Sequence, residues 1–416
     1  MEVVVAGAGI VGVATAIWCQ RAGHRVTLVD RAGPAAGTSH GNAGVLAAGG
    51  LIPVSTPGLA RRAPVMLADP DAPLFLRWGY LPRLLPFLRR YLGYGTAAHL
   101  AHYAEAMHRL LGDAHAQHMD LAQGTGAERF VSAADYAFGY ADHAARRAED
   151  AAWATRDRYG VRFEDRAGDA YDDPVWRGRF GHVVVCRDHG SVTDPGAYVA
   201  ALFDHFRAEG GAFRRADIRN VAMHDGACTA LDTSDGLVSG DAVVLCLGPW
   251  SAPMARKLGA ARLSFESERG YHLDLVGASL RPRDSMMVAA GKFAVTPMEG
   301  RVRAAGIVEF GGLVAPASPK PFALLHRQLC ALLPDLTWSE AREWMGHRPA
   351  PADSLPLIGP AAPGSWLAFG HQHVGLTAGP KTGRIVAEMI GGERAARDWA
   401  AFDPMRHSRR PPGRRP

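Results

Sequence analysis

The chain has 416 residues, 48% hydrophobic and 21% charged, with a formal net charge of +5; it is long enough for two cores and too apolar for a disordered or fibrous protein. Its five cysteines (Cys19, Cys186, Cys228, Cys246 and Cys330) are scattered and never spaced CxxC, which speaks against a disulfide framework or zinc ribbon and for buried thiols in a reducing cytosol. No run reaches the ~20 apolar residues of a membrane span, and Met1-Glu2 leads into a strand pattern with no leader-like segment, so a cytoplasmic protein is expected.

Residues 3–5 are a valine run, followed by Gly7-Ala-Gly-Ile-Val-Gly12, a helical pattern to about Arg21, an apolar run at 26–29 and Asp30. The order is strand, glycine turn, helix, strand, acid. Gly7 allows the tight turn, Gly9 lets a pyrophosphate approach the backbone, and Gly12 lets the helix pack on the sheet. The pyrophosphate then meets free N–H groups and the positive end of the helix. Asp30, 18 residues beyond Gly12, is placed for a ribose hydroxyl. This predicts dinucleotide binding. The small-residue loop at 37–44 extends the ligand site past the ribose.

Residues 64–94 are apolar and basic at once. Packing at the edge of a second domain and peripheral membrane contact through residues 74–91 are both compatible with them, and Pro82 and Pro86 speak against one long amphipathic helix. Residues 97–123 read as a helix with Leu100, Tyr103, Met107, Leu110 and Leu111 in its core stripe. Its histidines (His99, His102, His108, His115 and His118) fit no HExxH pattern and read as a solvated face, so no metal site is expected. A second helix covers 142–158, a strand and turn 181–193, and a helix capped by Asp194 and Pro195 runs to about Glu209. Residues 212–247 read as strands with hairpin signals at Asp225-Gly226 and Asp235-Gly236. Alternation continues over 263–314, a helix covers 319–333, a proline-rich loop 351–364, a strand 366–370 and a last helix about 382–390. The arginines of the tail (Arg406, Arg409, Arg410, Arg414 and Arg415) lie among prolines and read as a solvated flexible segment at 404–416. No nucleic-acid partner is expected.

Five motifs occur in order: residues 7–12, Thr38-Ser-His-Gly-Asn-Ala-Gly44, Val244-Leu-Cys-Leu-Gly-Pro-Trp-Ser251, Gly346-His-Arg-Pro349 and Gly370-His-Gln-His-Val-Gly375. With them the chain resembles the D-amino-acid dehydrogenase and glycine oxidase branch of the FAD-dependent amine oxidoreductases. The resemblance implies an α/β fold in which a Rossmann-like FAD-binding domain (1–68, 184–262 and 338–403) is interleaved with a mixed-sheet α+β substrate domain (69–183 and 263–337). It implies non-covalent FAD held by Gly7, Gly9, Ile10, Val11, Gly12, Asp30, Arg31, Thr38, Ser39, His40, Asn42, Ala43, Gly44, Ile218, Gly248, Trp250, Gly375, Leu376 and Thr377. Gly375 to Thr377 would offer N–H groups to the flavin just ahead of the last helix, where reduced flavin carries negative charge. Arg348 would clamp the substrate carboxylate, with His373 and Tyr271 beside it.

The implied activity is oxidation of a small amino or imino acid, D-amino acids and proline-like acids among them, by hydride transfer from Cα to the flavin, with no side-chain catalyst singled out. The electron acceptor (quinone, dye or oxygen) stays open. Lys292 is the residue through which an oxidase would promote reaction with oxygen. A non-catalytic nucleotide-binding protein is the reading from another class.

Overall fold

The computed structural model describes residues 1–392 and 394–408. The chain opens as expected, with β1 (Glu2–Ala6), α1 (Ile10–Arg21) and β2 (Arg25–Asp30). These strands join a six-stranded sheet in the order Leu357–Pro360, Ser365–Phe369, Ala242–Leu245, β1, β2, Ala212–Arg215. All neighbours are parallel except the first pair. The sheet is covered on both faces, which is why its strands are continuous apolar runs rather than alternating ones. On one side Val3, Val5 and Val244 pack with α1 and the Pro195–Ala208 and Gly375–Gly391 helices. On the other, Val4, Ala6 and Val243 pack with the Ser251–Lys257 helix and a three-stranded sheet formed by Ile218–His224, Ala227–Thr233 and Gly236–Ser239.

The second sheet has ten strands. Its path runs Glu340–Pro351, Phe265–Val276, Arg301–Phe310, Phe293–Met298, Ser285–Val288, Val131–Tyr140, His182–Val192, Val45–Leu46. Leu74–Leu76 adds to the Arg301–Phe310 strand and Phe163–Ala167 to the His182–Val192 strand. The Pro319–Leu332 helix covers one face through Phe322, Leu325 and Leu329. Each sheet draws strands from distant parts of the chain, so the two units are interleaved. His182–Val192 and Glu340–Pro351, expected largely in the first unit, hydrogen-bond in the large sheet.

Other differences have local causes. The helix expected over 97–123 is two, Ala97–Leu111 and Ala114–Ala122, broken at Gly112-Asp113. Pro82 and Pro86 do not prevent a helix over Leu81–Gly93: Pro82 sits in the first turn, where no N–H is needed, and the helix runs through Pro86. Residues 351–364 contain the Leu357–Pro360 strand. The tail is anchored at its start, where Arg406 donates to both carboxylate oxygens of buried Asp353 at 2.7 and 3.1 Å and His407 joins them at 2.9 Å. Arg409, Arg410, Arg414 and Arg415 lie outside the described residues.

The last helix starts at Gly375 instead of about Thr382. Its glycines and Pro380 disguise it in the sequence, but tertiary packing requires them. A Cβ on Gly379 would stand 2.8 Å from Ile10 Cγ1, and one on Gly383 would stand 2.6 Å from the Ala14 carbonyl carbon. The clash at Gly383 is with backbone, so it outweighs the ~1 kcal/mol that a helical glycine otherwise costs relative to alanine. We predict that Gly383→Val lowers stability by about 1–3 kcal/mol or more in urea unfolding. Gly391→Ala, where an added Cβ meets nothing within 4 Å, should be neutral or slightly stabilising. Equal effects of the two would disprove the packing argument.

Candidate cofactor and substrate site

The glycine turn shows tight packing at two of its three glycines and open backbone at the third. Gly7 adopts φ +104°, and an added Cβ would sit 2.6 Å from the Cys246 carbonyl oxygen. A Cβ on Gly12 would sit 1.8 Å from the Gly7 oxygen. Over Gly9, by contrast, only Ser39 Oγ comes within 4 Å, at 3.2 Å, so backbone is left open to a ligand. The Ser39 hydroxyl accepts from the Ile10 N–H at 3.0 Å and keeps its own hydrogen to donate. Val11 and Gly12 follow in the first turn of α1, where N–H groups have no helical partner.

Asp30 is oriented by three backbone donors, Ala8 at 2.9 Å, Ala32 at 2.8 Å and Gly33 at 3.1 Å. A carboxylate accepts about four hydrogen bonds, so one direction remains for a ribose hydroxyl. Around the acid, Ala216 N–H donates to the Asp30 carbonyl at 3.1 Å, two residues ahead of half-buried Ile218. Arg31 lies 4.8 Å over the Trp250 ring, in the Gly248–Trp250 turn, and Trp250 meets His347 edge-on at 5.6 Å.

The Gly375–Gly391 helix supplies the second set of N–H groups. Ile10 lies against Gly379 and Ala14 against Gly383, so this helix and α1 run parallel and their N-terminal ends open on the same side. Gly375, Leu376 and Thr377 therefore form a first helical turn, not a loop ahead of one. Thr377 ties that turn to the residues after loop 38–44, with its hydroxyl 3.3 Å from both the Val45 carbonyl and the Ala47 N–H. Pro380 cannot donate to the carbonyl of Leu376; His118 Nε2 does so instead, at 2.9 Å. That fixes the Nε2–H tautomer, and Nδ1 accepts from the Tyr198 hydroxyl at 2.9 Å. His118 is thus fully buried, not on a solvated face. Among the described residues no cluster of His, Cys, Asp or Glu could hold a metal.

Loop 38–44 is pinned from the large sheet. Thr38 donates to the His347 carbonyl at 2.8 Å, Arg303 to the carbonyls of His40 and Asn42 at 2.9 and 2.6 Å, and His272 Nδ1 to the Gly41 carbonyl at 3.0 Å. Trp344 stacks on His272 at 5.0 Å and fills the space a side chain at Gly41 would need. Arg303 is held in turn by Asp274. Within the loop, Asn42 caps the Gly44 N–H at 2.8 Å, Gly44 adopts φ +75°, and Ala43 is half-buried. The His40 ring is exposed, 6.3 Å from Trp344. His272, Asp274, Arg303 and Trp344 were not singled out in the sequence; charged residues inside otherwise apolar strands were the available signal.

Arg348 is not in a loop but on the Glu340–Pro351 strand, directly across from Glu268. Its guanidinium lies over Gly270, where a Cβ would be 2.5 Å from Cζ. Its hydrogen bonds within the chain are long: 3.5 Å to the Ile307 carbonyl and 3.4 Å to that of Gly306. Both carbonyls belong to a β-bulge where Ile307 is held at φ +53°, a conformation a β-branched residue adopts only under constraint. His373 is exposed and makes no hydrogen bond among the described residues. The positive charge of nearby Arg348 works to lower its pKa, which favours the neutral ring. His371, beside it, is buried and bonded to Thr382 Oγ1 at 3.0 Å.

Tyr271 does not join this group. Successive strand residues alternate between faces, and Tyr271 points to the opposite face from Arg348. There it is 1% exposed, packs edge-on against Phe322 and donates to Glu309 at 2.6 Å. Lys292 sits in an exposed turn and pairs with Glu149 at 2.8 Å, so it is committed elsewhere.

Burial holds His118 at about pKa 4, against the ordinary 6.5. The neutral form is the folded form, so its contribution is complete above about pH 6.5 and is lost as pH falls toward 4. For His118 alone this amounts to roughly 3 kcal/mol. His272 (about 3), His371 (about 3) and His347 (about 4) act in the same direction. Unfolding free energy measured in urea should therefore fall steeply between pH 6.5 and 4, and less steeply in His118→Asn; a flat profile would contradict the assignment.

Comparisons with known proteins agree with this fold. The D-amino-acid oxidase of Bradyrhizobium diazoefficiens is 36% identical over 97% of this chain and 98% of its own length. A D-amino acid dehydrogenase of Rhizorhabdus wittichii is 30% identical over 95% and 97%. Among solved structures, glycine oxidase from Geobacillus kaustophilus superposes with a TM-score of 0.72 at 20% identity, over 97% of this chain and 98% of that one. L-proline dehydrogenase from P. horikoshii gives 0.71 at 15%, over 98% and 97%. The family model for the FAD dependent oxidoreductases (DAO) matches residues 2–389, and the chain belongs to that family.

Proposed function

We propose that the chain oxidises a small amino or imino acid at the carbon bearing nitrogen, with Arg348 as the anchor for the substrate carboxylate. The observation that carries this is the state of Arg348: a guanidinium fixed over Gly270 whose bonds within the chain are all at the long limit. Such a fork takes a carboxylate bidentately. His373, whose neutral form the Arg348 charge favours, adds a hydrogen-bonding ring. When bound, FAD supplies the chemistry, accepting hydride from the substrate carbon. The protein's share is to hold the carboxylate, fix the loop 38–44 backbone and keep the two helical N-termini together. The names of the relatives favour a D-amino acid, and they include both an oxidase and dehydrogenases. Lys292 pairs with Glu149 at the surface, and the rate at which oxygen reoxidises the reduced enzyme separates an oxidase from a dehydrogenase.

Arg348→Ala should retain FAD and lose about 30-fold or more in apparent affinity for the amino acid, since a buried charged pair is worth about 2–5 kcal/mol. Anaerobic bleaching titrations over D- and L-amino acids, N-methylglycine and hydroxyprolines measure this. An unchanged titration would remove Arg348 from the site.

We also propose peripheral contact with an anionic lipid surface. Val65, Trp78 and Leu85 are exposed at 70%, 66% and 54%, beside exposed Arg61, Arg62, Arg83 and Arg89. Among the described residues no helix is long and apolar enough to cross a membrane. Sedimentation with phosphatidylglycerol vesicles, weakened by salt and by Trp78→Glu, is the expected result; equal partition with neutral vesicles would reject it.

A further inference from the structure

The carboxylate of Glu268 is the unexplained charge of the site. Glu268 and Arg348 are cross-strand partners, so both side chains leave the sheet on the same face. Glu268 is 2% exposed. Its one hydrogen bond among the described residues comes from the Tyr91 hydroxyl at 3.4 Å, and it makes no ion pair. The other buried carboxylates of this sheet are paired, Glu309 with Arg269 and Asp274 with Arg301 and Arg303. Arg348 instead turns its guanidinium away, over Gly270. The charged and titratable groups that act on Glu268 are Arg348 from its own sheet, Tyr91 from the Leu81–Gly93 helix and Tyr103 from the Ala97–Leu111 helix. Burial raises the Glu268 pKa, against the pull of Arg348 and the Tyr91 hydrogen bond. A nearly unsatisfied buried carboxylate beside an anchoring arginine is costly to the fold and is expected where function needs it.

We propose that Glu268 accepts the proton of the substrate's ammonium group. This rests on Arg348 holding the substrate carboxylate. An amino acid arrives as a zwitterion, and hydride leaves Cα only when the nitrogen has a lone pair with which to form the C=N bond. Docking the substrate carboxylate on Arg348 adds a negative charge beside Glu268, which favours its protonated form. The neighbouring ammonium supplies that proton. One N–H bond breaks, one O–H bond forms on Glu268, and the net charge of the site is unchanged.

The test uses full-length, FAD-loaded protein. Glu268→Gln should slow anaerobic flavin reduction by about 10²-fold at pH 7 and approach the wild-type rate near pH 10, where the amine arrives neutral. An equal loss at every pH, or no loss, would overturn the proposal. A second measurement needs no turnover: acetate, which brings no proton of its own, should take up protons on binding to the wild type at pH 7, measured by calorimetry in two buffers of different ionisation enthalpy. Binding of acetate without proton uptake would overturn the proposal even if the Gln variant does not fold. If no amino acid bleaches the wild type, the reading of Arg348 fails and this one with it. If the wild type bleaches and Glu268→Gln matches it at every pH, this one fails alone.

Discussion

Everything in the site depends on how closely α1 and the Gly375–Gly391 helix approach. Their contact runs through Gly379 and Gly383, where a single added carbon would meet Ile10 or the backbone of Ala14. Because the helices run parallel, two positive N-terminal ends open side by side. One faces the Gly9 turn and the other the residues after loop 38–44. Separating these helices by the width of a methyl group would pull the two N–H clusters apart. The proline that the second helix carries in its first turns leaves a carbonyl free, and buried His118 takes it, so the helix end is tied to the Ala114–Ala122 helix as well.

The second constraint joins the two sheets. Arg303, fully buried, is held by Asp274 and donates to the carbonyls of His40 and Asn42. A charge this deep is tolerable only because every contact is a hydrogen bond to a charge or a carbonyl. Removing either partner of such a pair costs about 3–5 kcal/mol, since the other is left buried and alone. Here the pair also positions a loop of small residues that has little side-chain packing of its own. The large sheet therefore sets the conformation of a loop that belongs, by sequence, to the nucleotide-binding unit.

The same sheet face carries Arg348 and Glu268. Its bulge at Ile307 turns two carbonyls toward Arg348 without satisfying it fully, and Glu268 across the strand is left without an ion pair. Elsewhere in this sheet the buried charges are matched. Mismatched charge confined to one spot is the observation behind the proposed zwitterion site.

Much of the nucleotide end was legible in sequence, because its determinants are local. Gly7, Gly9 and Gly12 act through their own backbone, and Asp30 follows from the length of one helix and one strand. The position of Arg348 near His373 followed from family resemblance, while its neighbours did not. Whether Tyr271 or Glu268 faces the substrate turns on strand parity. That parity depends on pairing between segments about 80 residues apart in register, which no local pattern encodes. The first turns of the last helix are hidden in the sequence because glycine and proline argue against a helix in isolation, and only packing against α1 makes them necessary. His118 reads as solvated in the sequence because its partners, Tyr198 and Leu376, lie 80 and 258 residues away. Residue identity and local spacing were enough to indicate the class of cofactor and the family. Tertiary structure alone decided which charges face one another, because that depends on the register and packing of strands and helices remote in the chain.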